Sequence, residues 1–592
     1  MISIKNKYMR RACSLCCATA ALLLTTSCED FFEIEPQNEI ILEKFWTDKS
    51  DVENILAGCY SGMQADPVVR RMMIWGEFRS ENVGVGQNID KDVDLEKVLK
   101  ENIDAKNSYT AWESFYQVIN RCNTIIKYAP QVAAADPAYT QSELNANIAE
   151  VTALRSLCYF YLIRTFRDVP YTTEAFTDDD QKMDLPATKF DDVLDSLILS
   201  LESVKSDAIE YYPTTEPRYQ TGRITKDAIN AMLCEMYLWK QDYDNCIRYA
   251  DLVMEAKKKW ADNNRSTMGG YGSSSSSTQY QRTGGYPLVS ANSSSLYGNA
   301  YNTLFTYDSY VNRYTPEIIF QLIYSDDPRG ESMLANMAVN TFYGNATSIV
   351  GYAAPSDYVL EDINATSSRN IFADRNKKMD ARLYENCNIA LGSINKYVWH
   401  DVTIDATSST PKVAYSGIAA EKFNGSNWII YRLSDIMLMK AEALVMKAQD
   451  GATTEIATAN KPLLDAAFQL VNWVNKRSVC ETELVDTLVR ADYASKAQME
   501  TLVMQERQRE LMFEGKRYFD LVRQARRNGN TQALSAAVQR KVTTGGALIA
   551  NKMSKMDAIY WPYNYEELKV NTNLTQNPAF SSGENSSYEK NY

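Results

Sequence analysis

The stretch LVMQERQRELMFEGKRYFDLVRQARR, residues 502–527, contains two helical patterns separated by Gly515. Glycine readily adopts the left-handed conformation found at helix ends, so the stretch predicts a pair of helices. Acidic and basic residues in it lie three and four positions apart. The acids are Glu506, Glu510, Glu514 and Asp520, and the arginines are Arg507, Arg509, Arg517 and Arg523. Residues so spaced are neighbours on a helix, which predicts salt bridges. Because arginines lower the pKa of a nearby carboxyl, we interpret these acids as structural rather than catalytic.

The same helical period continues through much of the chain. AWESFYQVINRCNTIIKYAP, residues 111–130, places apolar residues at helical steps, and we expect this helix to end at Pro130. GRITKDAINAMLCEMYLWKQDYDNCIRYADLVMEA, residues 222–256, predicts a helix hairpin with Thr225 as its N-cap and a break at Gln241 and Asp242. Its small and aromatic residues resemble the packing of tetratricopeptide units, whose period is about 34 residues.

Two regions lack a helical period. Residues 265–314 contain SSSSS, several glycines and eight tyrosines, and residues 343–413 include the strand-like piece KYVWHDVTI. A loop this long is usually functional or disordered. The flat face and hydroxyl of tyrosine suit a sugar ring, which presents C–H faces and hydroxyl groups. A loop wrapped on the scaffold or on a partner protein explains the tyrosines equally well, so both interpretations stay open.

The sequence offers little catalytic or nucleic-acid-binding chemistry. The single histidine, His400, excludes the two-histidine zinc motif, and neither a phosphate-binding glycine loop nor a nucleophile elbow is present. A net charge of −13 and a pI near 5.0 argue against nucleic acid. The cysteines after residue 28 are scattered without metal or disulfide spacing, which predicts buried thiols. Carboxylates are abundant, so a glycosidase pair remains an alternative.

The first residues predict an exported lipoprotein. A basic start is followed by a short apolar run and then LLLTTSCEDFFEIEP, residues 22–36. The run is shorter than the roughly 20 residues that span a bilayer, and this order of segments is that of a signal peptide. We therefore predict a signal over residues 1–27, lipid attachment at Cys28 and a tether over residues 28–40. No later segment is long and apolar enough to span a membrane.

Several segments resemble the signature stretches of the SusD/RagB family, in the family's order. They are CEDFFEIEP, AEVTALRSLCYFYLIRTFRDVPY, GRITKDAINAMLCEMYLW, YRLSDIMLMKAEAL, ERQRELMFEGKRYFDLVR and WPYNYEELKVNTNLTQNPAF. Two positions depart from the pattern: Arg167 stands where glycine is usual, and Tyr563 stands where isoleucine is common. The acids after Cys28 also resemble the tag of surface lipoproteins in Bacteroidetes-type bacteria.

The resemblance implies a mostly α fold: four tetratricopeptide-like helix pairs form a scaffold, and an irregular, loop-rich part carries the ligand site. We expect a helical region over residues 41–260, the irregular region over 261–420 and a second helical region over 421–592, all in one compact unit. The family is expected to bind glycans, sometimes peptides, on the outer-membrane surface, facing the cell exterior. Its expected partner is a SusC-like TonB-dependent transporter. No catalytic activity and no cofactor are expected, and a structural calcium ion is left open.

The candidate ligand residues lie in FRSENVGVGQN, residues 78–88, and in the tyrosine-rich loops. They are Arg79, Glu81, Asn82, Tyr280, Tyr286, Tyr297 and Tyr343. Arg79, Glu81 and Asn82 carry groups that donate to and accept from sugar hydroxyls. The alternative is that Arg79 and Glu81 pair with each other or with the scaffold. The rival functions are peptide binding, an exported glycoside hydrolase that uses two carboxylates, and a structural or adhesion subunit that binds only proteins.

Overall fold

The computed structural model describes residues 45–581 except 179, 214, 217, 264–281, 290–297, 299, 302–303, 306–315, 325–333, 346, 374–378, 408–410, 419–424 and 481–486. The predicted signal, Cys28, the tether, Tyr280 and Tyr297 lie outside these residues. The described residues from Asp48 onward form one compact unit. None of the helices that the structure describes is both long and apolar enough to cross a bilayer.

The structure is mostly helical. The α-helices are α1 Lys49–Gln64, α2 Asp66–Met73, α3 Val93–Leu99, α4 Glu113–Ala135, α5 Gln141–Phe166, α6 Phe190–Val204, α7 Tyr219–Gly222, α8 Lys226–Lys240, α9 Tyr243–Asn263, α10 Met337–Phe342, α11 Asp357–Leu360, α12 Arg382–Asn386, α13 Leu433–Lys447, α14 Thr454–Ser478, α15 Lys496–Leu511, α16 Arg517–Asn528, α17 Gln532–Gln539, α18 Gly546–Lys552 and α19 Tyr565–Val570. A π-helical turn, Ile74–Phe78, continues α2.

The strands are short and pair as antiparallel two-stranded ladders. They are β1 Val83–Val85, β2 Val169–Pro170, β3 Ala187–Thr188, β4 Ile318–Leu322, β5 Ala353–Pro355, β6 Cys387–Asn388, β7 Ser393–Ile394, β8 Trp399–Asp405, β9 Lys412–Ile418 and β10 Trp428–Arg432. The pairs are β1 with β5, β2 with β3, β4 with β10, β6 with β7 and β8 with β9. Strand β8 confirms the strand predicted for KYVWHDVTI.

Consecutive helices pack as pairs among the described residues: α4 with α5, α8 with α9, α13 with α14 and α15 with α16. The pairs are joined through contacts of α9 with α13 and of α13 with α15. Helices α5, α8 and α13 are buried on nearly every side. Apolar and small residues therefore occur around most of their circumference, and the charged residues among them, such as Arg164 and Glu235, are paired. The helix-pair scaffold predicted from the sequence is therefore confirmed.

The predicted helix boundaries hold in the hairpin but not at Pro130. As expected, the Thr225 side chain accepts from the backbone N–H of Ala228 and α8 ends before Gln241. Gln241 itself adopts the left-handed conformation. The predicted end at Pro130 is wrong, because α4 continues to Ala135. Ala129 and Val132 on either side of the proline are buried. Their packing keeps the segment helical despite the lost backbone hydrogen bond.

The cysteines within the described residues are free thiols rather than a disulfide framework. Six are buried and Cys480 is partly exposed. Burial raises the pKa of the Cys158 thiol, since the thiolate would have to be desolvated. The six buried cysteines therefore act as small apolar core residues, as the sequence predicted.

Candidate functional site

The charged stretch of α15 and α16 forms a buried network rather than an exposed helix face. Glu510 accepts from Arg382 Nη1 at 2.9 Å, from Arg432 Nη1 at 2.5 Å and also from Arg477. These side chains are fully buried. Burial alone raises the pKa of Glu510, but the three arginines outweigh burial and hold that pKa well below its ordinary value. The acid is thus ionised and structural, and its partners come from distant parts of the chain.

Arg79, one of the predicted ligand residues, is buried beneath the surface. Its Nε donates to Glu101 Oε2 at 3.0 Å, and its Nη atoms donate to the carbonyl oxygens of Ile559 and Ala558 at 3.0 and 2.9 Å. Its guanidinium carbon also lies 4.9 Å from the ring centroid of Tyr518. This geometry fits the scaffold alternative, although the pairing partner is Glu101 and not Glu81.

Glu81 and Asn82 are also fully buried and engaged with α15 and α16. Glu81 Oε1 accepts from Arg517 Nη2 at 2.6 Å. Asn82 Oδ1 accepts from Gln508 Nε2 at 2.8 Å, and Asn82 Nδ2 donates to Glu77 Oε1 at 2.8 Å. These side chains therefore position strand β1, which follows them directly, against the charged helices.

The predicted tyrosines divide between the core and a separate surface. Tyr343 is buried, and its hydroxyl donates to the carbonyl oxygen of Phe513 at 2.9 Å. Tyr301 is buried too, with its hydroxyl 3.0 Å from Glu510 Oε2. Tyr286 is half-buried, and its ring centroid lies 5.4 Å from that of Trp473 in α14. The structure therefore buries Tyr343 against Phe513 just beyond α15, whereas Tyr286 packs against α14.

Strands β1 and β5 follow Asn82 and Tyr343 in the chain and form a short ladder. We call this ladder with its neighbouring residues the β1–β5 rim: residues 83–88, 344–345 and 347–355. Its register pairs Val83 with Pro355 and Val85 with Ala353. Beyond the ladder, the amide of Gly86 donates to the carbonyl oxygen of Tyr352 at 2.9 Å. The rim thus joins the predicted segment 78–88 to the segment that follows Tyr343.

Glycines allow the two strands of the rim to approach closely. A Cβ on Gly86 would lie 2.4 Å from the carbonyl oxygen of Gly351. A Cβ on Gly351 would lie 2.2 Å from the carbonyl oxygen of Phe342. Gly344 has a φ of +125°, which only glycine adopts readily. Since no larger residue fits these positions, the rim is a tightly packed and preorganised surface.

A polar chain connects the two sides of the rim. Asn88 Nδ2 donates to Ser348 Oγ and to the carbonyl oxygen of Val350, both at 3.0 Å. Ser348 Oγ donates to the same carbonyl oxygen at 3.0 Å, and Lys91 Nζ donates to Asn88 Oδ1 at 3.1 Å. These bonds hold residues 348–350 against Asn88.

The rim presents groups that suit a hydroxylated ligand. Gln87 is exposed and Tyr352 is half-exposed. Neither side chain makes a hydrogen bond to another described residue, so an amide and a phenol are available. Val85, 43% exposed, adds an apolar side chain to the same segment as Gln87. An amide, a phenol and an apolar side chain on one rigid element can bind a sugar ring without any chemical step.

Sequence reasoning did not single out Gln87 and Tyr352. It identified the segment around residues 78–88 but selected its most polar side chains, and those point into the protein. A usable signal is the alternation G-V-G-Q from residue 84 to 87, since paired glycines in a strand mark a close backbone approach. Among the described residues, no cluster of three or more His, Cys, Asp or Glu side chains could hold a metal ion.

Packed helix pairs that present a rigid polar rim constitute a helical binding scaffold. Comparisons with known proteins agree with this class. The model of the SusD family matches residues 251–580, more than half of the chain, and a model described as "Starch-binding associating with outer membrane" matches residues 30–238. The chain belongs to the SusD family.

Its relatives match over nearly their full lengths. SusD-like protein P38 of Formosa agariphila is 25% identical over 95% of this chain and 97% of its own, and SusD-like protein P25 of the same organism is 22% identical over 84% and 87%. A SusD superfamily protein of Bacteroides vulgatus covers 90% of this chain and 100% of its own, with a TM-score of 0.58 and 16% identity. A structure named laminarin-binding SusD-like protein covers 90% and 99%, with a TM-score of 0.55 and 18% identity. These structures share the predicted fold.

Proposed function

We propose that this protein binds oligosaccharides at the β1–β5 rim, without catalysis, and delivers them to a SusC-like TonB-dependent transporter in the outer membrane. The observation that carries the proposal is the rigid rim, which displays the free amide of Gln87 and the half-exposed ring of Tyr352. The family description as starch-binding and the laminarin-binding neighbour support a glycan as the ligand. Family membership among binding proteins supports the absence of an enzymatic step.

The glycan assignment is tested by calorimetry on the mature chain with laminari-oligosaccharides, malto-oligosaccharides and a set of peptides. We expect micromolar to millimolar affinity for at least one glycan. Gln87→Ala and Tyr352→Ala should each weaken it about tenfold, a loss of about 1.4 kcal/mol. Gln117→Ala, at an exposed glutamine of α4, serves as the matched control and should leave affinity unchanged. Binding to peptides but to no glycan would contradict the sugar assignment and support the peptide-binding alternative.

The same experiment separates binding from hydrolysis. Product analysis after prolonged incubation of the bound glycan should show the oligosaccharide intact. A shortened product that disappears on substitution of a carboxylate would establish the glycoside hydrolase alternative instead.

We further propose that Cys28 carries the lipid that anchors the protein to the outer membrane, facing the cell exterior. Cys28→Ser should release the full chain from the membrane fraction, and surface proteolysis of intact cells should remove the wild-type protein. Persistence of the variant in membranes would contradict the anchor.

Purification of the wild-type chain from detergent-solubilised outer membranes should yield a TonB-dependent transporter in the same complex, and its absence would contradict the delivery role.

A further inference from the structure

Four of the buried cysteines lie against each other as two pairs. The sulfur atoms of Cys59 in α1 and Cys122 in α4 are 3.8 Å apart, and those of Cys234 in α8 and Cys246 in α9 are 3.7 Å apart. All four are free thiols with an exposed fraction of 0%. Each pair bridges two neighbouring helices, so a bond between its sulfurs would link two elements of the scaffold.

Two such pairs are more than scattered cysteines would produce by chance. The cysteines of the described residues are spread along the chain from Cys59 to Cys480. A buried residue touches only about 6–12 others, so random placement of these cysteines in a chain of this length would give less than about one touching pair. The two pairs therefore favour a role for the pairing itself, beyond that of small apolar core residues.

The helices pack closely beside each pair. One turn away from the first pair, a Cβ on Gly62 in α1 would lie 2.8 Å from Val118 Cγ2 in α4. Beside the second pair, the rings of Tyr237 and Tyr249 are stacked with their centroids 5.6 Å apart. Since a disulfide measures about 2.05 Å between its sulfurs, a gap of about 1.7 Å remains in each pair. Rotation about the Cα–Cβ bonds of both cysteines swings the sulfurs over a distance of this order, so the helices need not separate.

We propose that Cys59 with Cys122 and Cys234 with Cys246 are the sites of two disulfide bonds that form after the chain is exported. The oxidising setting rests on the proposed function, which places the protein at the cell exterior. The choice of partners rests on the structure alone. Each bond removes two protons and two electrons from a pair of thiols. They pass to the disulfide of an oxidant, such as a thiol–disulfide oxidoreductase, which is reduced to two thiols.

Burial determines when the bonds form and what they do. The thiolate is the attacking species, and burial raises the pKa of the Cys122 and Cys234 thiols, so the packed thiols are poor nucleophiles. The bonds therefore form while the helices assemble, and burial then shields them from reductants. They close loops of 63 and 12 positions, which restricts the unfolded chain and stabilises the folded one.

The test maps the disulfides of the full chain isolated from cell membranes. Free thiols are blocked with iodoacetamide in denaturant without a reductant, and the chain is then cleaved with trypsin. Cleavage after Lys240 separates Cys234 from Cys246, so this bond also appears as two linked peptides. We expect both linked pairs and, as internal controls, alkylation of the other cysteines of the described residues: Cys158, Cys387 and Cys480.

A second measurement does not depend on export. The mature chain is reduced and denatured, then refolded with glutathione disulfide as the oxidant, and the same mapping is applied; we expect the same two bonds. Alkylation of all four paired cysteines in both preparations would overturn the disulfide sites and leave the proposed function untouched. Bonds in the refolded chain but not in the cellular chain would overturn the proposal through its export premise, and would count against the proposed surface location. Linkage of any of the four to Cys158 instead would overturn the pairing.

Discussion

The backbones of Gly76 and Gly515 are in direct contact, although 439 positions separate them in the chain: a Cβ on Gly76 would lie 1.8 Å from the carbonyl oxygen of Gly515. This approach brings Glu77 to the start of α16, where Glu77 Oε2 accepts from the amides of Lys516 and Arg517 at 3.1 and 3.2 Å. The π-helical turn before the rim is thereby fixed to the turn between the two charged helices.

Replacement of Gly76 by alanine should strongly destabilise the protein. The new Cβ meets backbone atoms, which cannot rotate away, so the contact between the two turns has to open. We expect a loss of about 3 kcal/mol or more in chemical denaturation, at the upper end of point-mutation effects. Gly58→Ala is the control, because a Cβ at Gly58 in α1 meets nothing within 4 Å. It should be neutral or stabilising by about 0.5–1 kcal/mol. Equal behaviour of the two variants would contradict the contact.

Replacement of Arg432 by methionine should break the buried charge network. Arg432 contacts Glu317, Glu510 and Glu514, and all four side chains are fully buried. Removal of one partner leaves buried negative charge uncompensated, which costs about 3–5 kcal/mol. Lys569→Ala disrupts an exposed pair with Glu566 and should change the unfolding free energy by less than about 0.5 kcal/mol. A small effect of Arg432→Met would show that the network relaxes or admits water.

Glu385 should make stability depend on pH. Burial raises the pKa of its carboxyl to about 7, above the roughly 4.3 of an unfolded chain. The folded state therefore binds more protons between these values, and stability falls as pH rises from about 4.3 to 7. In Glu385→Gln the side chain is uncharged at every pH, so this loss of stability with rising pH is absent. The variant should be more stable than the wild type by up to about 3 kcal/mol at pH 8 and nearly equal to it at pH 4.5. A difference that does not vary with pH would contradict the raised pKa.

Arg167 occupies a strained turn at the end of α5. Its φ is +71° and its ψ −77°, and the amide of Asp168 donates to the carbonyl oxygen of Phe166 at 3.1 Å, which is a γ-turn with positive φ. Arg167→Gly should stabilise the protein by about 1 kcal/mol, because relief of the strain exceeds the loss of the half-exposed ion pair with Asp557. Arg167→Ala keeps the strain and loses the pair, so it should destabilise. The melting temperature should therefore be highest for Arg167→Gly, lower for the wild type and lowest for Arg167→Ala. The opposite order would contradict the strain at this turn.

Gly351→Ala should weaken ligand binding at the rim. The new Cβ lies 2.2 Å from the carbonyl oxygen of Phe342, so the segment that carries Tyr352 must move. We expect about tenfold weaker glycan binding by calorimetry, with Gly58→Ala again unchanged. Unaltered affinity in a folded Gly351→Ala variant would place the ligand elsewhere.

The sequence by itself determined the helical scaffold. Apolar residues at helical steps predicted the helix pairs, Thr225 and Gln241 predicted their ends, and the ordered signature stretches predicted the family. Such features are local: a helix forms from residues three and four apart, so a linear pattern records it. Pro130 shows the limit even here, because buried packing on both sides of a proline overrides its local preference.

Only the tertiary structure decided which polar residues are exposed. Arg79, Glu81 and Asn82 have the chemistry of a sugar site, but contacts with Glu101, Arg517 and Gln508 bury them. Gln87 and Tyr352, less conspicuous in the sequence, lie on two distant segments that meet because glycines 84, 86, 344 and 351 allow their backbones to approach. Burial depends on long-range packing and not on residue type, so the candidate site became visible only when the chain was folded.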